Sequence, residues 1–224
     1  AGLTNKKLGG RVQKICVAYE GMERFFPADK IVMTGNPIRS IIVPATPEMK
    51  EAGIKEYGLD PSRKHIFIVG GSLGSARFNQ CMKEWISDGC PGLDGVDVLW
   101  QCGKHYRPDI DRFMDEQRTK NPDVARHIHH SDFIGRMELA YAAADVVISR
   151  SGASFVSELC AARKAVIFIP SPNVAEDHQT HNAMALVRKD AAILVKDSEA
   201  QEKLLPAAIE LLSDPERVRS MQEN

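Results

Sequence analysis

The chain has 224 residues, of which 43% are hydrophobic, and its 29 Lys+Arg against 30 Asp+Glu leave a net charge of −1. That is enough apolar material for one or two globular domains, with no general basic field to hold nucleic acid or an anionic membrane. No apolar run approaches the roughly 18–20 residues of a bilayer span, and AGLTNKKLGGR at the start has no signal-peptide core. The five cysteines, Cys16, Cys81, Cys90, Cys102 and Cys160, are odd in number and form no C-x-x-C pair. They read as free thiols of a reducing, cytosolic compartment.

In chain order, TNKKLGGRVQK offers a helix, residues 15–19 a strand and KIVM a second short strand before the Pro-containing turn GNPIRS. The start, without Met and already helix-like, is expected to be a cut edge. A boundary is read at Gly35–Arg39, giving residues 1–38 as the tail and linker of one domain and 39–224 as a nearly whole second domain. VPATPEMKEAG then begins Pro-rich and turns helical. Four continuous apolar, β-branched runs follow: HIFIVG (65–70), VDVLWQCG (96–103), ADVVISRSG (144–152) and KAVIFIP (164–170). Continuous rather than alternating runs are strands buried on both faces. Helical patterns over 75–87, 107–118, 153–163 and 176–189 separate them, and a weaker strand, AAILV (191–195), precedes a helix near 199–212. Strict alternation predicts an α/β domain: a doubly wound parallel sheet with helices on both faces.

The first chemical signal is IFIVGGSLGSARFNQ, a strand, a glycine-rich turn and a helix beginning near Ser75. Glycines allow close backbone approach, and the amides of a helix N-terminus attract an anion such as a diphosphate. Glycine can equally serve turn geometry alone. No Gly-Lys-Ser/Thr follows, which speaks against a P-loop, and G-x-G-x-x-G is absent, which speaks against a dinucleotide site. ADVVISRSGASFVSELCAA repeats the arrangement with the turn Ser149–Gly152 and a helix entering near Ala153. Glu158 lies one to two turns into that helix, where its two carboxylate oxygens could accept from a ribose diol, or where it could simply complement the helix dipole. Two such turns in one sheet point to a ligand at the carboxyl ends of the strands.

ARHIHHSDF puts His127 and His129 on one face of a possible strand and His130 on the other. A third ligand at metal-binding spacing is missing, so a hydrogen-bonded edge is the expectation and no metal is assigned. AEDHQTHNA gathers Asp177, His178, Gln179 and Asn182 at a helix start after KAVIFIP, as caps or as ligand contacts.

GNPIR, GGSLGSARFN, DFIGRMELAYAAADVVISRSGASFVSEL and AEDHQTHNA, in this order and spacing, resemble the MurG family of bacterial peptidoglycan synthesis. That family consists of UDP-N-acetylglucosamine-dependent transferases acting on a lipid-linked muramyl pentapeptide. The likeness covers essentially the whole chain, and AGLTNK is similar to the segment after the family's HEQN-type motif. It implies a GT-B glycosyltransferase: two Rossmann-like domains across a cleft, the C-terminal one holding the donor UDP-GlcNAc, with no cofactor. By that resemblance Arg39 lies on the nucleotide side of the cleft and Ser72 contacts the diphosphate. Phe133 and Ile134 line the uracil pocket, with the Ile134 backbone reading the base, and Met137 lies near the diphosphate. Ala153 turns its amide toward the sugar, Glu158 holds the ribose hydroxyls, and His178, Gln179 and Asn182 contact the diphosphate and N-acetylglucosamine.

The same resemblance places the first-domain glycine turn, a His and an Asn upstream of residue 1. These would carry most of the lipid I acceptor site, the general base and the contact with the anionic inner-membrane surface. A peripheral protein on the cytoplasmic face of the inner membrane is expected, with the C-terminal helix cut short at Asn224. His178 stands where some relatives have Gln. The rival readings are a UDP-GlcNAc 2-epimerase-type enzyme of the same architecture and a non-catalytic UDP-sugar-binding module; the glycine pattern disfavours an NAD-type oxidoreductase.

Overall fold

In the first segment, Lys6 and Lys7 fall in the last turn of α1 (Leu3–Gly9), where cations complement the helix dipole. β1 (Ile15–Val17) and β2 (Ile31–Met33) then pair in parallel, Ile15 opposite Ile31. A Cβ on Gly9 would press on the Phe26 ring, so glycine lets the helix end meet that buried side chain. The computed structural model describes residues 2–172 and 177–224. It divides into two units, Ala1–Arg39 and Ser40–Asn224, so that Arg39 is the last residue of the first.

The second unit opens with α2 (Pro47–Tyr57). Thr46 accepts a hydrogen bond from the Met49 amide, Pro47 occupies the first helical position, and Gly58 at φ 65° ends the helix. Six strands follow: β3 (Lys64–Val69), β4 (Val96–Gln101), β5 (Ile128–Ser131), β6 (Val146–Ser149), β7 (Ala165–Phe168) and β8 (Ile193–Leu194). They lie in the order β5-β4-β3-β6-β7-β8, every pair parallel. Chain order therefore reverses between β3 and β6. In an open α/β sheet this switch point leaves a crevice at the carboxyl ends of the two strands, because the connections leave them in opposite directions.

The connecting helices are α3 (Ala76–Ser87), α4 (Arg107–Lys120), α5 (Pro122–Ala125), α6 (Met137–Ala143), α7 (Ala153–Ala161), α8 (His178–Val187), α9 (Ala200–Leu212) and α10 (Pro215–Glu223). Alternate strand residues feed two cores. Ile66, Ile68, Val98, Trp100, Val146, Ile148 and Ile167 pack with α3, α4 and α9. Phe67, Val69, Leu99, Val147, Val166 and Phe168 pack with α6 and α7. Burial on both faces is why these strands read as unbroken apolar runs.

The predicted parallel sheet is present, and the possible histidine strand is β5. Several spans contract, among them residues 15–19 to Ile15–Val17, 144–152 to Val146–Ser149, 164–170 to Ala165–Phe168 and 191–195 to Ile193–Leu194. The helix over 107–118 extends to Lys120. Sequence periodicity gives no sign of α6, because all seven residues except Glu138 are buried and it has no polar face to set a period.

Candidate functional site

The crevice between β3 and β6 is built from two turns. After Val69 the chain makes the turn Gly70–Ser75, with Gly71 at φ 103° and Gly74 at φ 79°. A Cβ on Gly74 would overlap the Cys102 carbonyl, and one on Gly103 would overlap that of Leu73. The glycine turn is thus nested against the turn after β4, an approach open only to backbone without side chains. Ser75 caps α3, its Oγ accepting from the Phe78 amide at 3.3 Å. Gly152 caps α7 and brings no side-chain acceptor, so that helix presents its positive end through backbone amides.

Arg150 ties the two turns together. Its guanidinium donates to the Ile169 and Pro170 carbonyls at 3.0 and 3.2 Å, to Asp197 Oδ1 at 2.6 Å and to Ser75 Oγ at 3.0 Å. It also lies over the Phe78 ring at 4.7 Å. Asp197 is shared with Arg77, 3.3 Å away. From α8, Gln179 accepts from the Ser171 amide at 2.9 Å, and Asn182 donates to the Ser151 carbonyl at 3.1 Å. The result is a cavity of about 680 Å³ lined by the glycine turn, Arg150, Gly152, Ser171, Gln179 and Asp197, among others. A guanidinium and the starts of two helices border this cavity, features that suit a polyanion such as a diphosphate.

Beyond the carboxyl end of β5 lies a second stretch. Ser131 Oγ donates to the Phe133 carbonyl at 2.9 Å, Ile134 is buried, and Phe133 exposes 60% of its surface. Met137, buried, opens α6, and Tyr57 donates to the Arg136 carbonyl at 2.9 Å. On α7 Glu158 is buried and accepts from the Tyr141 hydroxyl at 3.2 Å.

The glycosyltransferase family 28 C-terminal domain matches residues 65–224. The chain belongs to that family. It is 47% identical to the UDP-N-acetylglucosamine–N-acetylmuramyl-(pentapeptide) pyrophosphoryl-undecaprenol N-acetylglucosamine transferase of Parabacteroides distasonis, over all of this chain and 58% of that protein. The enzyme of the same name from Bacteroides fragilis is also 47% identical, with 57% of its length covered. Among solved structures, Acinetobacter baumannii MurG aligns over 99% of this chain and 58% of its own, with 26% identity and a TM-score of 0.68. The lipopolysaccharide glycosyltransferase WaaG, at 12% identity and a TM-score of 0.61, shares the fold. The chain thus spans somewhat over half the length of these relatives, and its sheet is that of a GT-B C-terminal domain.

Within this family 28 domain, Ser72 and Gln179 line the cavity, and Asn182 braces the α7 turn from behind. Ala153 is the first residue of α7, and His178, exposed, the first of α8. Phe133, Ile134 and Met137 belong to the stretch between β5 and α6, Glu158 to the second turn of α7, and Arg39 to the first unit. Residues 175 and 176 of AEDHQTHNA, including the start read for the 176–189 helix, lie outside the described residues; the helix begins at His178. Sequence reasoning passed over Arg150 and Asp197. Arg150 had a signal, a charge ending an apolar strand; Asp197, brought in from beyond β8, had none.

The histidines are held by carboxylates. His127 Nδ1 lies 2.8 Å and His129 Nε2 3.6 Å from Asp97, while His130 on the other face lies 2.7 Å from Asp111. Among the described residues no group of three or more His, Cys, Asp or Glu is placed to hold a metal ion. Burial raises the thiols of Cys81 and Cys102 to about 11 and of Cys90 to about 12, so these three are protonated at neutral pH.

Proposed function

We propose that this domain is the donor-binding half of an inverting N-acetylglucosaminyltransferase, moving N-acetylglucosamine from UDP-GlcNAc to the muramyl 4-hydroxyl of lipid I to give lipid II. The reading is carried by the cavity of about 680 Å³ at the β3/β6 switch point, which the glycine turn and Gly152 at the start of α7 line together. The names of the relatives supply the substrate class. On this reading Phe133 and Ile134 take the uracil, the two turns with Met137 nearby take the diphosphate, Glu158 takes the ribose, and His178, Gln179 and Asn182 contact the diphosphate and the N-acetylglucosamine.

Inversion is a single in-line displacement. A base removes the acceptor hydroxyl proton while negative charge grows on the departing UDP. Amides at the starts of α3 and α7 are already aimed where that charge develops and need no reorganisation; loss of one such donor elsewhere costs about 10²–10³ in rate. The base, the lipid I site and a peripheral contact with the cytoplasmic face of the inner membrane are assigned to the facing domain.

Calorimetry of this chain with UDP and UDP-GlcNAc, alongside a lipid I transfer assay, tests the assignment. Binding with little or no transfer is expected, because residues 40–224 supply only the leaving-group side. No UDP binding would remove the reading, and robust turnover by this chain alone would refute the placing of the base. Glu158→Ala should weaken UDP binding; unchanged affinity would leave Glu158 a helix-end charge.

A further inference from the structure

Gln101 is the last residue of β4, paired in register between Val69 of β3 and Ser131 of β5. Its side chain is 2% exposed. Its carbonyl oxygen Oε1 accepts from the Gly70 amide at 3.3 Å, and its Nε2 donates to the Asp132 carbonyl at 3.2 Å. Gly70 opens the glycine turn, and Asp132 directly precedes Phe133 and Ile134. One buried amide therefore bridges the two turns, although β4 leads into neither of them. Only a group with a donor and an acceptor at opposite ends of one plane can make both bonds. Each bond also satisfies a backbone group that the end of a strand leaves unpaired.

We infer that Gln101 is a positioning residue that fixes the span between the turn at 132–134 and the turn at 70–74, so that base and diphosphate of one nucleotide are received at the same time. The inference rests on the nucleotide reading of the two turns. A ligand touching one turn gains nothing from a fixed span; a ligand touching both gains the ordering that Gln101 has already imposed. The residue therefore sets the preference for a nucleoside diphosphate over the bare nucleoside.

The test is the ratio of uridine to UDP dissociation constants, uridine measured by NMR titration and UDP by calorimetry, on the full chain. In Gln101→Leu the UDP affinity should fall about tenfold, as expected for two lost hydrogen bonds, with uridine within about twofold of the wild type. Gln101→Glu separates positioning from simple packing. Ionised, it accepts from Gly70 but repels the Asp132 carbonyl; protonated, it regains a donor. Burial raises its pKa, so its UDP-to-uridine preference relative to wild type should recover as pH falls from about 8 to 5.5. This profile decides the matter even where the Leu variant fails to fold. An unchanged ratio in both variants, an equal loss for uridine and UDP, or a Glu variant flat with pH would overturn the inference. A wild-type chain that binds no UDP would instead remove the nucleotide reading itself.

Discussion

The two edges of the six-stranded sheet are both rich in polar groups, yet they are put to opposite use. At the amino edge the groups close on one another. Asp97 at the start of β4 lies 2.7 Å from Arg63 Nε, meets His127 and His129, and accepts from the Asp60 amide at 2.8 Å. Asp145, before β6, pairs with Lys50 at 2.8 Å and accepts from the His65 amide, while Lys164, before β7, donates to the Ala144 carbonyl. At the carboxyl edge Arg150 and Asp197 also pair, but around them the glycine turn and Gly152 at the α7 terminus line a cavity. A closed polar network holds strands in place, whereas one that borders a cavity can receive a ligand. The amino edge should therefore govern stability and the carboxyl edge affinity.

The sharpest way to break this contrast is Asp97→Ala. Burial pushes that carboxyl up, but the nearby His129 ring and hydrogen bonds from the Asp60 amide and His127 outweigh it and hold it well below the usual carboxylate range. Removing it takes the carboxylate from the Arg63 guanidinium, which is left with the Leu93 and Val96 carbonyls, and orphans the Asp60 amide, at a cost of about 3–5 kcal/mol in urea unfolding. UDP affinity of the folded protein should stay unchanged, and a loss there would erase the distinction between the edges. Because the folded pKa lies below the unfolded one, the stabilisation is present above about pH 4 and fades as pH falls through the folded value.

Arg150→Met is the counterpart at the other edge. It leaves Asp197 with Arg77 alone and unties Ser75 from the β7 end, so both stability, by about 2 kcal/mol, and UDP affinity, by about tenfold or more, should fall. A stability loss without an affinity loss would reduce Arg150 to scaffolding.

Lys164 offers a smaller, pH-resolved check at the amino edge. Burial depresses its ammonium to about 8, with Asp145 opposing. The folded pKa lies below the unfolded value of about 10.4, so the charged form is disfavoured in the fold. Stability should therefore rise as pH climbs from about 8 to 10, and Lys164→Met should remove that rise. His130 runs the same way at lower pH. Burial, more than its Asp111 bond opposes, lowers its pKa, and stability should fall as pH drops below about 6.5.

The carboxyl edge was the more legible in the sequence. Unbroken apolar runs gave β3, β4, β6 and β7, and glycine after a strand gave both turns, since each signal is local. The amino edge was hidden, because Asp97 finds Arg63 and His127 only through strand pairing that no spacing encodes. The two-faced placing of His127 and His129 against His130 was readable from strand alternation; their partners Asp97 and Asp111 were not. Gln101 reads as one more residue of a strand until its neighbours across the sheet are known.

The finest discrimination is at Ser75, which serves both purposes at once. Its Oγ accepts from the Phe78 amide as the α3 cap and from Arg150 across the crevice. Ser75→Ala loses a cap worth about 1 kcal/mol together with the bond that joins the two turns. Ser75→Gly loses the same bond while costing the cap only a few tenths of a kcal/mol. If the crevice bond matters for ligand, both variants should lose UDP affinity to a similar degree, about threefold, despite differing in thermal stability. If affinity instead follows stability across the pair, Ser75 acts only on its own helix, and the carboxyl edge is held together without it.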